Sequence, residues 1–361
     1  MAAAGRRWIF QLHLWSALTG GAVLLVVALT GAMLVFRPEL DPVFNRDLFA
    51  VAPGGAPRPL DELVATAQRV HPGVRVDYVR LAREPGATVQ VAFLDKQVVF
   101  LHPATAAVLG QRGRYEGFFG CCEQWHRFLL LGAAGKFLAR AGAMLTVCVL
   151  LTGFYLWLPP VLRVLRAGLT LNFQLKGRAW HFNLHKVAGF YAGAVVLGSA
   201  LTGLPQSFDW MTHGVYQGWG AAPAGAALHS TPLPAGVAGV TMQSWLESAQ
   251  RLMPGTGTLM IGLPRTPDAP VEIYAPDRAA GHENARSYVF LDAYSGAVLR
   301  ATPYAESGRG MQFYLMAVSF HFGQFGGWAG RLVLLAGVLA VPVLAFTGLA
   351  MFLQRRRVRP A

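Results

Sequence analysis

The sequence predicts a membrane protein: an all-α transmembrane four-helix core carrying two small α+β domains, produced by internal duplication. Three observations predict it. Of the 361 residues 54% are hydrophobic and 14% charged, too apolar a balance for a water-soluble chain of this length. Four apolar runs, about 12–36, 137–158, 186–206 and 329–353, each reach the roughly 20 residues that cross a hydrocarbon layer. Finally, the two halves of the chain align with each other. His13-Leu14 to Thr30-Gly31 matches His185-Lys186 to Thr202-Gly203 without a gap, and His126 to Thr152-Gly153 matches His321 to Thr347-Gly348. Within the second match, Gly135-Lys136 corresponds to Gly330-Arg331 and Gly142 to Gly337.

The elements follow in order. Residues 1–36 give the first transmembrane helix; no small-residue cleavage site precedes a soluble domain, so it reads as a retained helix rather than a cleaved leader. Residues 37–125 form the first outer domain. Leu60 to Ala67 predicts a short amphipathic helix, and 74–79, 88–93 and 97–101 predict alternating strands. Helix 2 covers 126–158, a basic loop 159–184, and helix 3 covers 185–206. Residues 207–310 form the second outer domain, with a helix at 243–252 and strands at 258–263, 271–275 and 287–291. Helix 4 covers 311–353 and a basic tail 354–361.

Charge sets the orientation. The net charge is +13, yet all 18 acidic residues lie in the two long loops or at their edges. The N-terminus, the 159–184 loop and the tail carry only basic residues: Arg6, Arg7, Arg163, Arg166, Lys176, Arg178, Arg355, Arg356, Arg357 and Arg359. Short basic loops stay in the cytoplasm, so both termini are expected inside and both long loops outside. This pattern accounts for the positive charge, and nucleic acid is not an expected partner; membrane lipid is.

The four repeat-matched histidines carry the chemistry. His13 and His185 fall at the cytoplasmic ends of helices 1 and 3, His126 and His321 at the outer ends of helices 2 and 4. His13 and Gly31 are 18 residues apart, about 27 Å of helix, so one porphyrin cannot join His13 to His126. The expected pairs are His13 with His185 and His126 with His321, as axial ligands of an inner and an outer haem iron. Small residues follow the inner pair: Ser16, Ala17 and Gly20, then Ala188, Gly189 and Ala192, a face that suits a flat macrocycle as well as close helix packing. Lys136 and Arg331, ten residues past the outer histidines, suit either lipid headgroups or haem propionates. Phe128, Phe320, Phe322 and Trp328 suit an interfacial belt or an outer haem wall.

Other features point less far. The three cysteines (Cys121, Cys122, Cys148) form no CxxC or CxxCH, which leaves covalent c-type attachment unsupported. Zinc would need four ligands at one depth. His181 reads as interfacial or as a neighbour of the inner haem, and His71, His102, His213, His229 and His282 as solvated loop residues. There is no GxGxxG after a strand and no P-loop, so electrons would come from a cytoplasmic protein or a quinol.

The closing segments LHPATAAVLG (101–110) and LDAYSGAVLR (291–300) resemble the end of PepSY domains, with His102 in place of the usual Asp. Set between helices that begin with His and end in Thr-Gly, they make the chain resemble the PepSY-associated transmembrane family over roughly 7–355. Its better understood members are bacterial inner-membrane reductases of ferric siderophores with two b-type haems. The resemblance implies two PepSY-like periplasmic domains, two haem b groups and a ferric siderophore as acceptor, with Arg127, Lys136, Arg140 and Arg331 available to attract an anionic chelate. The competing expectations are a non-enzymatic PepSY module that binds peptides or regulates proteases, and a small transporter.

Overall fold

The computed structural model describes residues 2–82, 84–159, 165–218, 228–234, 237–254, 257–277 and 279–357; Arg163 and Arg359 lie outside them. In chain order the helices are α1 (Ala2–Leu34), α2 (Arg37–Phe44), α3 (Arg46–Phe49), α4 (Leu60–Val70), α5 (Gly117–Phe128), α6 (Gly132–Trp157), α7 (Leu165–Leu169), α8 (Gly177–Ser207), α9 (Asp209–Gly218), α10 (Met242–Leu252), α11 (Arg309–His321) and α12 (Gly327–Arg357). The strands are β1 (Val76–Ala82), β2 (Val89–Phe93), β3 (Gln97–Leu101), β4 (Val108–Gly113), β5 (Thr258–Gly262), β6 (Val271–Pro276), β7 (Arg286–Leu291) and β8 (Val298–Thr302). They divide into a helical unit (Met1–Phe36, Cys121–Met211, Phe320–Ala361) and a sheet unit (Arg37–Gly120, Thr212–Ser319).

In the helical unit, Ala4–Leu34, Gly132–Trp157, Gly177–Ser207 and Gly327–Gln354 are each long and apolar enough to cross a membrane, which makes this a multi-pass membrane protein. Helix α1 packs on α6 and α8 on α12, and α6–α8 and α1–α12 contacts close the bundle. Small residues let the backbones approach. A β-carbon on Gly142 would lie 2.5 Å from Val23, and one on the matching Gly337 would lie 2.7 Å from Val195. The valines also match each other in the sequence alignment.

Two helix starts differ from expectation. His126 and His321 do not open the spanning helices; they lie in the last turns of the separate helices α5 and α11. Leu129 (φ 47°), Leu130 (φ 57°) and Gly132 (φ 55°) break the first, and Gly323 (φ 70°), Gly326 (φ 79°) and Gly327 (φ 61°) break the second. Left-handed backbone cannot continue an α-helix. The matching Gly135 and Gly330 accept these turns, because a β-carbon on either would collide with the carbonyl oxygen of Phe128 or Phe325. Conversely, α8 starts eight residues before His185 and α1 eleven before His13, so these histidines sit inside their helices rather than at their heads.

The sheet unit also departs from the two separate domains expected. Each half supplies a helix and four strands, but the strands form one antiparallel sheet in the order β4-β3-β2-β1-β5-β6-β7-β8. β1 and β5 pair at the seam, with Tyr78 opposite Gly262 and Arg80 opposite Met260. Helices α4 and α10 cover one face. Val79, Val91, Val99, Ile261, Val271 and Ile273 point into that core with 0% exposure, each worth about 1.5–3 kcal/mol of burial. The helices also cap each other. Asp61 accepts the N–H of Met242 (2.9 Å) and of Gln243 (3.0 Å), while Gln243 Oε1 accepts the N–H of Leu60 (3.1 Å).

The closing segments each form a turn and a last strand. Asp292 Oδ1 accepts the N–H of Tyr294 (2.9 Å) and of Ser295 (2.8 Å). At the matching place His102 Nδ1 accepts the N–H of Ala104 (3.1 Å), so the imidazole does the turn-closing work of the aspartate.

Candidate functional site: two facing histidine pairs

The structure brings His13 to His185 and His126 to His321. Their ring centroids stand 6.4 Å and 6.3 Å apart, with interplanar angles of 85° and 54°. Two imidazoles bound through metal–nitrogen bonds of about 2.0–2.1 Å to opposite sides of one metal place their ring centroids roughly 6.3 Å apart. Both pairs match that spacing.

Each ring is held by the Nδ1 side against a neighbouring helix. His13 Nδ1 donates to the Val149 carbonyl (3.0 Å), His126 Nδ1 to the Val27 carbonyl (2.9 Å) and His321 Nδ1 to the Ser199 carbonyl (2.8 Å). His185 Nδ1 bonds the Thr347 hydroxyl (2.9 Å) and the Leu344 backbone. A carbonyl only accepts, so the ring proton sits on Nδ1 and Nε2 is left as a bare donor of electron density. Fixing the tautomer through the second nitrogen is how proteins orient metal-binding imidazoles.

The repeated Thr-Gly dipeptides build this cradle. The accepting carbonyls of Val27, Val149, Ser199 and Leu344 each lie four residues before Gly31, Gly153, Gly203 and Gly348. At each of these glycines the imidazole lies where a side chain would begin. A β-carbon would stand 3.1 Å from His126 Cε1 at Gly31, 3.2 Å from His13 Cε1 at Gly153, 2.6 Å from His321 Cε1 at Gly203 and 3.5 Å from His185 Cε1 at Gly348. The preceding threonines Thr30, Thr152, Thr202 and Thr347 each turn their hydroxyl hydrogen back to their own helix. The oxygen then remains an acceptor, and Thr152 takes a bond from His13 Nδ1 (3.1 Å). Alignment of the halves displays this Thr-Gly signal, yet it reads there only as a repeat marker.

Three of the small residues after His13 and His185 meet side chains of neighbouring helices. A β-carbon on Gly20 would stand 3.1 Å from Leu145, Ser16 faces Cys148 (3.7 Å), and Gly189 faces Leu344.

The two matched cations differ. Lys136 is exposed, whereas Arg331 is 3% exposed with its guanidinium 5.8 Å over the Trp328 ring. Arg140 lies over Phe208, and Arg127 pairs with Glu123 (3.0 Å). Phe320 fills the space beside Gly198, Phe322 lies 5.6 Å from His321, and Trp328 stacks on Phe36. His181 packs on Phe346, and among the described residues its buried Nδ1 meets no hydrogen-bond partner. Among the described residues none of the three cysteines forms a disulfide, and no three His, Cys, Asp or Glu side chains gather as a metal cluster. His71 and His229 pair with Asp95 and Asp268. His282 is not a solvated loop residue: it bonds Ser319 and Tyr304, both at 2.8 Å.

No curated protein matches the sequence. The pattern that defines the PepSY-associated TM region matches residues 10–355, nearly the whole chain. The chain therefore belongs to the PepSY-associated transmembrane family.

Proposed function

We propose that this protein is a b-type dihaem electron-transfer protein of the bacterial inner membrane that reduces ferric siderophore iron on the periplasmic side. The observation that carries the reading is the geometry of the two histidine pairs: centroid spacings of 6.4 Å and 6.3 Å, with every Nδ1 anchored to a neighbouring helix. The chain's duplication, with PepSY-like halves in the sheet unit and both termini in the cytoplasm, is part of the same reading. It rests on the alignment of the halves and on the one-sided distribution of acidic residues.

Bis-histidine haem, when bound, supplies a one-electron carrier with no open iron position, suited to electron transfer rather than oxygen chemistry. The residues do the rest. His13 with His185, and His126 with His321, fix the two carriers at opposite ends of the bundle. Leu24, Val195, Val196, Leu335, Val338 and Val341 form the apolar packing between the two levels and keep water out. Arg331, enclosed at the start of α12, offers a guanidinium to a propionate carboxylate; exposed Lys136 suits a lipid phosphate. One electron reduces each ferric ion, and Fe(II) is then held more weakly by hard oxygen ligands. The electrons come from a cytoplasmic protein or a quinol.

A reduced-minus-oxidised visible spectrum of the detergent-purified chain, with a haem count, tests this. A b-type spectrum and two haems per chain are expected. His13 or His185 replacement is expected to remove one haem, and His126 or His321 replacement the other. A folded, colourless protein overturns the reading and favours a PepSY module acting on peptides.

A further inference from the structure

Just past the first span the chain carries an apolar patch that the histidine pairs leave unused. Helix α2 begins at Arg37, three residues after Leu34 ends α1, and α5 stops at Phe128, four residues before Gly132 opens α6. Both short helices therefore hang on brief tethers from membrane-crossing segments. Three residues of extended chain reach at most about 11 Å, so the start of α2 stays that close to the end of α1.

An ion pair decides which way α2 faces. Asp41 is buried, and its carboxylate accepts two bonds from Arg112 of β4 (2.9 Å and 2.8 Å) and one from the Asn45 amide (2.7 Å). The same guanidinium lies over the Phe49 and Phe100 rings, at 5.3 Å and 5.8 Å. A bidentate pair seated between rings fixes the rotation of the helix about its axis. With Asp41 turned to the sheet, Leu40, Val43 and Phe44 share a face (i, i+3, i+4) that is left outside. Val43 is 67% exposed and Phe44 63%. On α5, Phe118 is 58% exposed, and Trp125, seven residues on and so on the same face, is exposed too. Buried Phe119 joins the two groups, its ring 6.0 Å from that of Phe44 and 5.1 Å from that of Phe118.

Single exposed apolar side chains are ordinary, but a contiguous patch of them marks an interaction surface. Continuity names the occupant. Met33 at the end of α1 and Leu131 just before α6 are also exposed. Apolar surface belonging to the spans therefore borders the patch along the chain at both ends. The repeat-matched helix α9, in which Asp209 aligns with Arg37, differs: beside Trp210 it turns His213 and Gln217 outward. The two halves thus meet their surroundings differently at this level.

We infer that α2, with the start of α5, is an interfacial anchor. It lies in the headgroup layer of the bilayer face at which α1 ends and α6 begins, with Val43 and Phe44 reaching the acyl boundary. The Asp41–Arg112 pair then ties the edge strand β4 to the lipid surface. The inference needs only the spanning helices and is independent of haem.

The test uses the unaltered full chain in nanodiscs of phosphatidylcholine and phosphatidylglycerol that carry a lipid-soluble aryl diazirine. After a flash of light, labelled residues are located by mass spectrometry. Labelling of Leu40, Val43, Phe44 and Phe118 is expected within about threefold of that at Met33, and at least about tenfold above that at Val70 and Leu252. Those two are exposed apolar ends of α4 and α10 with no span next to them in the chain. A Val43→Asp, Phe44→Asp double variant is expected to lower labelling at Leu40 and Phe118 at least about fivefold, with Met33 unchanged. Should that variant fail to fold, the pattern in the unaltered chain decides. Labelling of the patch at the level of Val70 overturns the inference. A patch that stays unlabelled in discs holding two copies makes it an interface between copies and also overturns it.

Discussion

Gly203 lies against the imidazole of His321 so closely that a β-carbon there would come within 2.6 Å of Cε1. The same contact recurs at Gly31 (3.1 Å), Gly153 (3.2 Å) and Gly348 (3.5 Å), which gives a graded series. Gly203→Ala is expected to displace His321 and strip most of the outer haem, with overpacking of about 1–3 kcal/mol. Gly348→Ala, at ordinary van der Waals distance, is expected to keep the inner haem. Haem absorbance per chain in the four alanine variants checks the order; equal retention in all four contradicts it.

The hydroxyl of Thr347 accepts from His185 Nδ1 at 2.9 Å. Thr347→Val keeps the shape and removes this bond. A ligand bonded through Nδ1–H is a stronger electron donor to iron. The variant is therefore expected to raise the inner haem potential, and losing a bond that orients a metal-binding imidazole weakens retention about 10–100-fold. Spectroelectrochemical titration reads the first effect and haem retention on dilution reads the second. An unchanged inner potential would remove the hydroxyl from the tuning role.

Asp61 receives two backbone N–H groups at the start of α10, and Gln243 returns the bond to Leu60. Asp61→Ala takes away the acceptor of the Met242 and Gln243 N–H groups while Thr241 still caps Ser244, at a cost of about 0.5–2 kcal/mol. Chemical unfolding of the sheet unit, followed by tryptophan emission, is expected to shift to lower denaturant with little change in haem content. A simultaneous loss of haem would show that the cap matters beyond its own helices.

Much of this arrangement is readable in the sequence, because duplication aligns each histidine with its counterpart and helical rise separates the inner pair from the outer one. The pairings of His13 with His185 and of His126 with His321 need only those two facts. The cradle is harder to read. Gly31, Gly153, Gly203 and Gly348 contact histidines 95, 140, 118 and 163 residues away along the chain, and helical periodicity says nothing of distances between helices. The seam is hidden for a similar reason: β1 and β5 each carry a sound alternating pattern, and nothing local states that Tyr78 pairs with Gly262. Arg331 and Lys136 match in alignment yet differ in burial, since surroundings, not residue type, decide which cation is enclosed.

Burial lowers the His282 pKa below 6.5, and the ring is fastened between Ser319 and Tyr304. A depressed folded-state value means the unfolded chain takes up the proton first as pH falls. The group's contribution to stability is thus present above about 6.5 and is lost as acidity increases through its folded-state pKa. Stability of the sheet unit is expected to fall from pH 7 to 5, and His282→Gln is expected to flatten that slope. Unfolding midpoints across this range decide it; parallel curves for the two proteins contradict the assignment.

The seam between β1 and β5 has a consequence for biogenesis. Val76–Ala82 keeps one edge bare until its partner Thr258–Gly262 is made about 180 residues later, after two further candidate spans. An exposed strand margin invites pairing with any passing chain. A chain truncated after the second span is therefore expected to be a sticky fragment rather than an independent half-protein.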